Sequence, residues 1–140
     1  MGVLIAIDDS DPARKALEHG FSVHPGEDIT VLHVLNPPES ATYGEARMYV
    51  DWEEVMEDRR ERAEELLDAA RDRADDHDAP VVTEVVVGRP ARAIVEYAEE
   101  HDVDHVVIGS HGRSGVSRVL LGSVAESVVR RSPCPVTVVR

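Results

Sequence analysis

The stretch Val106-Val107-Ile108-Gly109-Ser110-His111-Gly112-Arg113-Ser114-Gly115, running on to Gly122-Ser123-Val124, decides how the chain folds. A short apolar run without alternation marks a strand buried on both faces of a parallel sheet. It ends abruptly in a loop holding three glycines, and Gly122-Ser123 then opens a helical pattern. Glycine lets backbone approach a ligand and reaches φ > 0 without a Cβ penalty. Free N–H groups at a helix start attract anions, phosphate above all.

Read outward from that unit, the rest of the chain repeats strand and helix. Gly2 to Ile7 is a continuous apolar run, followed by Asp8-Asp9-Ser10-Asp11-Pro12. Pro12 suits a first helical turn, with Asp9 or Ser10 before it as N-cap. Ala13, Ala16, Leu17, Gly20 and Phe21 recur at helical spacing until Pro25-Gly26. Ile29 to Leu35 reads as a second strand, and Asn36-Pro37-Pro38 breaks it into a loop reaching about Tyr49. A long acidic helix from Asp51 to Asp78 has Ala63, Leu66, Leu67, Ala70 and Ala74 as its inner stripe. Val81 to Val87 is a third strand, and Gly88-Arg89-Pro90 starts a helix with Ala91, Ile94, Val95 and Ala98 inward. The fourth strand is His105 to Ile108. After the glycine loop, Leu121, Val124, Ala125, Val128 and Val129 mark the inner side of a last helix. Val136 to Val139 is the fifth strand. The order β-α-β-α-β-α-β-α-β predicts one α/β domain over 1–140, a doubly wound, five-stranded parallel sheet with helices on both faces. Ligands of such sheets bind beyond the strand carboxyl ends, where the strand order switches. The Asp8 turn and the Gly109 loop both lie at such ends.

Charge narrows the partners. The 28 acids against 15 bases give a formal net of −13, and Lys15 is the only lysine. The helix Asp51–Asp78 supplies −8 of that total, with 13 acids and 5 arginines, as a solvated outer face. Such a surface suits a high-salt cytoplasm, where screening relieves self-repulsion. It argues against nucleic-acid binding, which needs a basic face. No apolar run reaches the roughly 18 residues of a membrane span, and the start has no basic leader. A soluble, cytoplasmic protein is expected. Cys134, the single cysteine, reads as structural, and the seven histidines show no metal-cluster spacing.

Three phosphate motifs fail. The first turn, Asp8-Asp9-Ser10, has no glycine for a dinucleotide fingerprint, and nothing matches a P-loop. A phospho-accepting receiver domain would need an Asp after the third strand and a Lys after the fifth, where Val87-Gly88 and Arg140 stand. What remains is Gly109-x-x-Gly112, nine residues, then Gly122-Ser123. That spacing resembles the ATP-binding branch of the universal stress protein (UspA-like) family. Ala6-Ile7-Asp8-x-Ser10, Val87-Gly88-Arg89-Pro90 and Cys134-Pro135-Val136 extend the likeness over the whole chain.

The resemblance implies a Rossmann-like, adenine nucleotide alpha hydrolase-like fold that binds ATP or another adenine nucleotide with Mg2+. It implies a homodimer through the last strand, Val136–Val139. Carried over by position, Asp8 looks like the residue near the ribose and a phosphate-bound metal, and Val34 like the wall beside adenine. Gly109, Ser110, His111, Gly112 and Arg113 correspond to the ribose and phosphate loop. Gly122, Ser123 and Val124 resemble the terminal phosphate cradle. Asp9 stands where many relatives have glycine, an extra carboxylate that either weakens triphosphate binding or helps hold a cation. From the residues themselves, the only acid between Gly109 and Arg131 is Glu126, against Arg113, Arg118, Arg130 and Arg131. That reversal of sign suits a polyphosphate, although Arg130 and Arg131 also suit a helix C-terminus. No nucleophile–base arrangement is legible. The expected function is therefore regulatory nucleotide binding in a stress response, with little or no hydrolysis. A slow ATPase or nucleotidyl transferase on this fold, and a dimeric module that ignores nucleotide, are the alternatives.

Overall fold

A computed structural model describes residues 2–37, 52–110 and 121–140. Five strands, β1 (Gly2–Ile7), β2 (Asp28–Leu35), β3 (Val81–Val87), β4 (Val103–Gly109) and β5 (Val136–Val139), alternate with four helices. The helices are α1 (Asp11–Val23), α2 (Trp52–Asp76), α3 (Pro90–Glu100) and α4 (Ser123–Arg131). The strands form one sheet in the order β3-β2-β1-β4-β5, and every neighbouring pair is parallel. The chain steps one way from β1 to β3, then returns past β1 to β4 and β5. Right-handed crossovers require the helices to change face when that direction reverses. The cores follow this rule. Val3, Ile5, Ile7, Val31 and Val107 pack under α1 and α2, whereas Leu4, Ala6, Leu32, Val106 and Ile108 pack under α3 and α4.

Local chemistry sets the ends. Ser10 is the N-cap of α1, its Oγ accepting from the Ala13 N–H at 3.2 Å, with Pro12 in the first turn. At the end of α2, Asp78 takes a left-handed φ of 52°. The Ala79 N–H then reaches back to the Ala74 carbonyl at 2.9 Å, a Schellman-type close. The inner stripe of α2 is as expected: Ala63, Leu67, Ala70 and Ala74 are buried and Leu66 packs against them.

Two expectations need correction. The fourth strand starts at Val103 and runs through Gly109, longer than His105 to Ile108, because Gly2 at the start of β1 already pairs with Val103. Leu121 and Val129, placed on the inner stripe of the last helix, are 40% and 46% exposed. Leu121 precedes the helix, which begins only at Ser123. The narrow stripe Val124, Ala125, Val128 is enough to cover the sheet margin between α3 and β5, which turns Val129 outward.

Candidate functional site

The switch in strand order lies between β1 and β4, where α1 leaves one face and α4 the other. Ile7 pairs with His33, and Ala6 pairs with Ile108. Continued past the strand ends, by one residue against β2 and two against β4, that register brings Asp8 level with Val34 and Ser110. Side chains alternate along strands, so this row belongs to the α3–α4 face, where Ala6, Ile108 and Val34 pack. The expected residues Asp8, Val34 and Ser110 therefore converge at one level. Val34 is half-buried there, and Val86 of β3 is its register partner.

Asp8 is the unusual member. Its Oδ1 is buried and has no hydrogen-bond partner among the described residues. A buried acceptor normally finds a donor, so an orphan needs an explanation, such as a ligand group. The neighbouring carboxylate is handled differently. Arg14 reaches Asp9 at 3.5 Å and Asp11 at 2.5 Å, both on the exposed rim. Sequence reading overlooked this arginine, although Asp11 and Arg14 stand at the i,i+3 spacing of a helical ion pair. On the other face, the His33 imidazole hydrogen-bonds the Ile7 carbonyl through Nδ1 at 2.9 Å.

Gly109 faces the opposite layer. A Cβ built there would lie 2.8 Å from the Pro12 carbonyl carbon and 2.9 Å from the Ala13 nitrogen and the Pro12 Cβ. The missing side chain thus admits the first turn of α1 against the end of β4. Ser110, 2% exposed, ties three elements together. Its N–H donates to the Val139 carbonyl at 2.7 Å, and its carbonyl accepts the Gly122 N–H. The two ends of the glycine loop are thereby pinned to each other and to β5. His111, Gly112 and Arg113, named from sequence, lie outside the described residues, as do Arg118 and the loop after Pro37.

Gly122 is the N-cap of α4 and provides no side-chain cap. Its own N–H is engaged by Ser110, so the anion-facing groups of this helix start are those of its first turn, at exposed Ser123 and half-buried Val124. The expected basic site is reduced at its far end. Arg130 and Arg131 occupy the last turn of the nine-residue α4, about 12 Å from its start. There Arg130 pairs with Glu126 at 2.9 Å. Their role is to complement the helix dipole. Among the described residues, no group of three or more His, Cys, Asp or Glu is placed to hold a metal ion. No described helix is long and apolar enough to cross a membrane.

Comparison with known proteins gives this geometry its context. The model of the universal stress protein family matches residues 1–140. Universal stress protein MJ0577 of Methanocaldococcus jannaschii is 32% identical over 151 aligned residues, covering 99% of this chain and 93% of that protein. The solved structure of MJ0577 superposes with a TM-score of 0.85 and covers 94% of its own chain. The universal stress protein from Archaeoglobus fulgidus in complex with dAMP is similar at 26% identity and a TM-score of 0.70, covering 100% of this chain and 98% of its own. A universal stress protein in complex with cAMP is similar at 26% identity and a TM-score of 0.75, covering 100% of this chain and 97% of its own. With the doubly wound sheet in place and the family model matching from end to end, the chain belongs to the universal stress protein family.

Proposed function

We propose that this protein binds an adenine nucleotide, ATP with Mg2+, at the carboxyl ends of β1 and β4, and acts as a regulatory homodimer with little or no hydrolysis. The observation that carries the reading is the buried Oδ1 of Asp8 at the switch point, without a partner among the described residues and suited to a ribose hydroxyl or a phosphate-bound cation. Two similar proteins were solved with dAMP and cAMP, which supports an adenylate as the ligand. Val34 would lie against the base. Ser110 and the loop His111, Gly112, Arg113 would run along the ribose and phosphates, with Gly109 setting where that loop begins. Ser123 and Val124 would offer the helix start to the phosphate tail, with Gly122 shaping the turn. Asp8 supplies one carboxylate, so the phosphates and water would complete the coordination of Mg2+.

The edge strand β5 is apolar and open on one side, and pairing across a two-fold axis would cover it. The acidic, lysine-poor surface fits a cytoplasm rich in salt. Mass spectrometry of small molecules released from freshly purified protein tests the reading. An adenylate in near-stoichiometric amount is expected, and repeated recovery of a different class of molecule would overturn it. A steady-state turnover assay with Asp8→Ala as control separates binding from slow catalysis.

A further inference from the structure

We propose that Gly109 is a positioning residue for Asp8 and acts through the first turn of α1; for the ligand this rests on the nucleotide-site reading above. The glycine's open side faces the α1–α2 layer, within 2.8–2.9 Å of Pro12 and Ala13 atoms once a Cβ is added. Two of those three contacts are with backbone, which a side-chain rotation cannot relieve. The same turn is held from within by Ser10, whose Oγ takes the Ala13 N–H and whose carbonyl takes the Arg14 N–H at 3.2 Å. Between this clamped turn and the end of β1 there is room for only Asp8 and Asp9. Asp8 is thus kept where its Oδ1 is buried without a partner among the described residues, instead of swinging out to water. An acceptor held in place before the ligand arrives costs no ordering on binding.

A double-mutant cycle of Gly109→Ala and Asp8→Asn tests this, read in two ways. The first reading is thermal unfolding of the nucleotide-free protein in molar KCl. Asp8→Asn raises the melting temperature by roughly 2–4 °C, since it removes the charge from a half-buried carboxylate whose Oδ1 has no partner among the described residues. The gain vanishes in the Gly109→Ala background, where the turn has moved and Asp8 is relieved. The second reading is calorimetric titration with ATP and Mg2+. Gly109→Ala weakens binding about tenfold when Asp8 is present and less than about twofold in the Asp8→Asn background. Equal losses in both backgrounds would overturn the proposal and make Gly109 a direct ligand contact or a general fold residue. If Gly109→Ala does not fold, Ser10→Ala, which removes the cap that clamps the same turn, runs the same cycle. Absence of ATP binding by the unaltered protein would contradict the nucleotide reading, while the unfolding cycle would still decide whether Gly109 positions Asp8.

Discussion

At Asp8 a carboxylate oxygen is buried without a partner among the described residues, and such a group costs on the order of 1–3 kcal/mol when left unpaired. The neighbours show how one turn treats similar residues differently: Asp9 and Asp11 share Arg14 on the rim, and Ser10 caps the helix. Gly122 offers a sharp test at this scale. Its φ of −66° and ψ of 158° suit any residue, and an acidic side chain there would cap the open first turn of α4. Gly122→Asp should leave the melting temperature unchanged or slightly raised, worth about 0.5–1 kcal/mol, while abolishing nucleotide binding. Retained affinity with an intact fold would remove the helix start from the site. Gly20 has a structural role only: a Cβ would meet the Ile5 Cδ1 at 2.5 Å, so Gly20→Ala should destabilise by about 1 kcal/mol in chemical unfolding. Nucleotide affinity should not change.

Two contacts between elements make stability depend on pH. Near the amino end of the sheet, the His105 Nε2 meets the Thr137 Oγ1 at 2.6 Å, and its ring lies 5.0 Å from that of His24. Burial, then the nearby His24, hold the His105 pKa below the ordinary histidine value, against an opposing pull from Glu27. Unfolded chain therefore takes up this proton first as pH falls. The stability from His105 is full above the ordinary value of about 6.5 and declines as pH drops from there toward the folded value. Between α1 and α2, Glu18 bonds His77 at 2.8 Å and Arg73 at 2.7 Å, and the His77 bond is the largest cause of its lowered pKa. Its contribution is present above the unfolded carboxylate value and disappears as pH falls through the folded one. Urea midpoints from pH 8 to 3 should decline in two stages, with His105→Gln removing the upper and Glu18→Gln the lower. Loss of neither stage would contradict the assignment. At this scale sequence was most informative, because strand runs and helical spacings are set by local periodicity. β1, β3 and β5 have the bounds read from their apolar runs. The exposure of Leu121 and Val129 was hidden, since which side of α4 meets the sheet depends on α3 and β5. The purpose of Gly109 was hidden for the same reason: Pro12 is 97 residues away in the chain and meets it only through the β1–β4 pairing.

For the whole molecule, a net charge of −13, nearly half of it on the long helix α2, makes self-repulsion a large long-range term. Stability should rise as KCl goes from about 0.1 to about 2 M and the Debye length shrinks from about 10 Å to below about 3 Å. A melting temperature independent of salt would reject the high-salt adaptation. Light scattering in molar KCl should give a dimer, and Val138→Pro, which removes an N–H from the open side of β5, should give monomers. The switch point in the strand order was legible from the order of elements. Its finer wiring, with Ser110 joining β5 to α4 and the Asp8 Oδ1 without a partner among the described residues, arises from tertiary contacts. The central claim is that an adenine nucleotide occupies that switch point against Asp8. Calorimetric titration of ATP with Mg2+ into the protein and its Asp8→Ala variant, both in molar KCl, tests it most directly. Saturable one-site binding that the substitution weakens at least about tenfold is the predicted result. No heat of binding to the unaltered protein, or equal affinity in both, would contradict it.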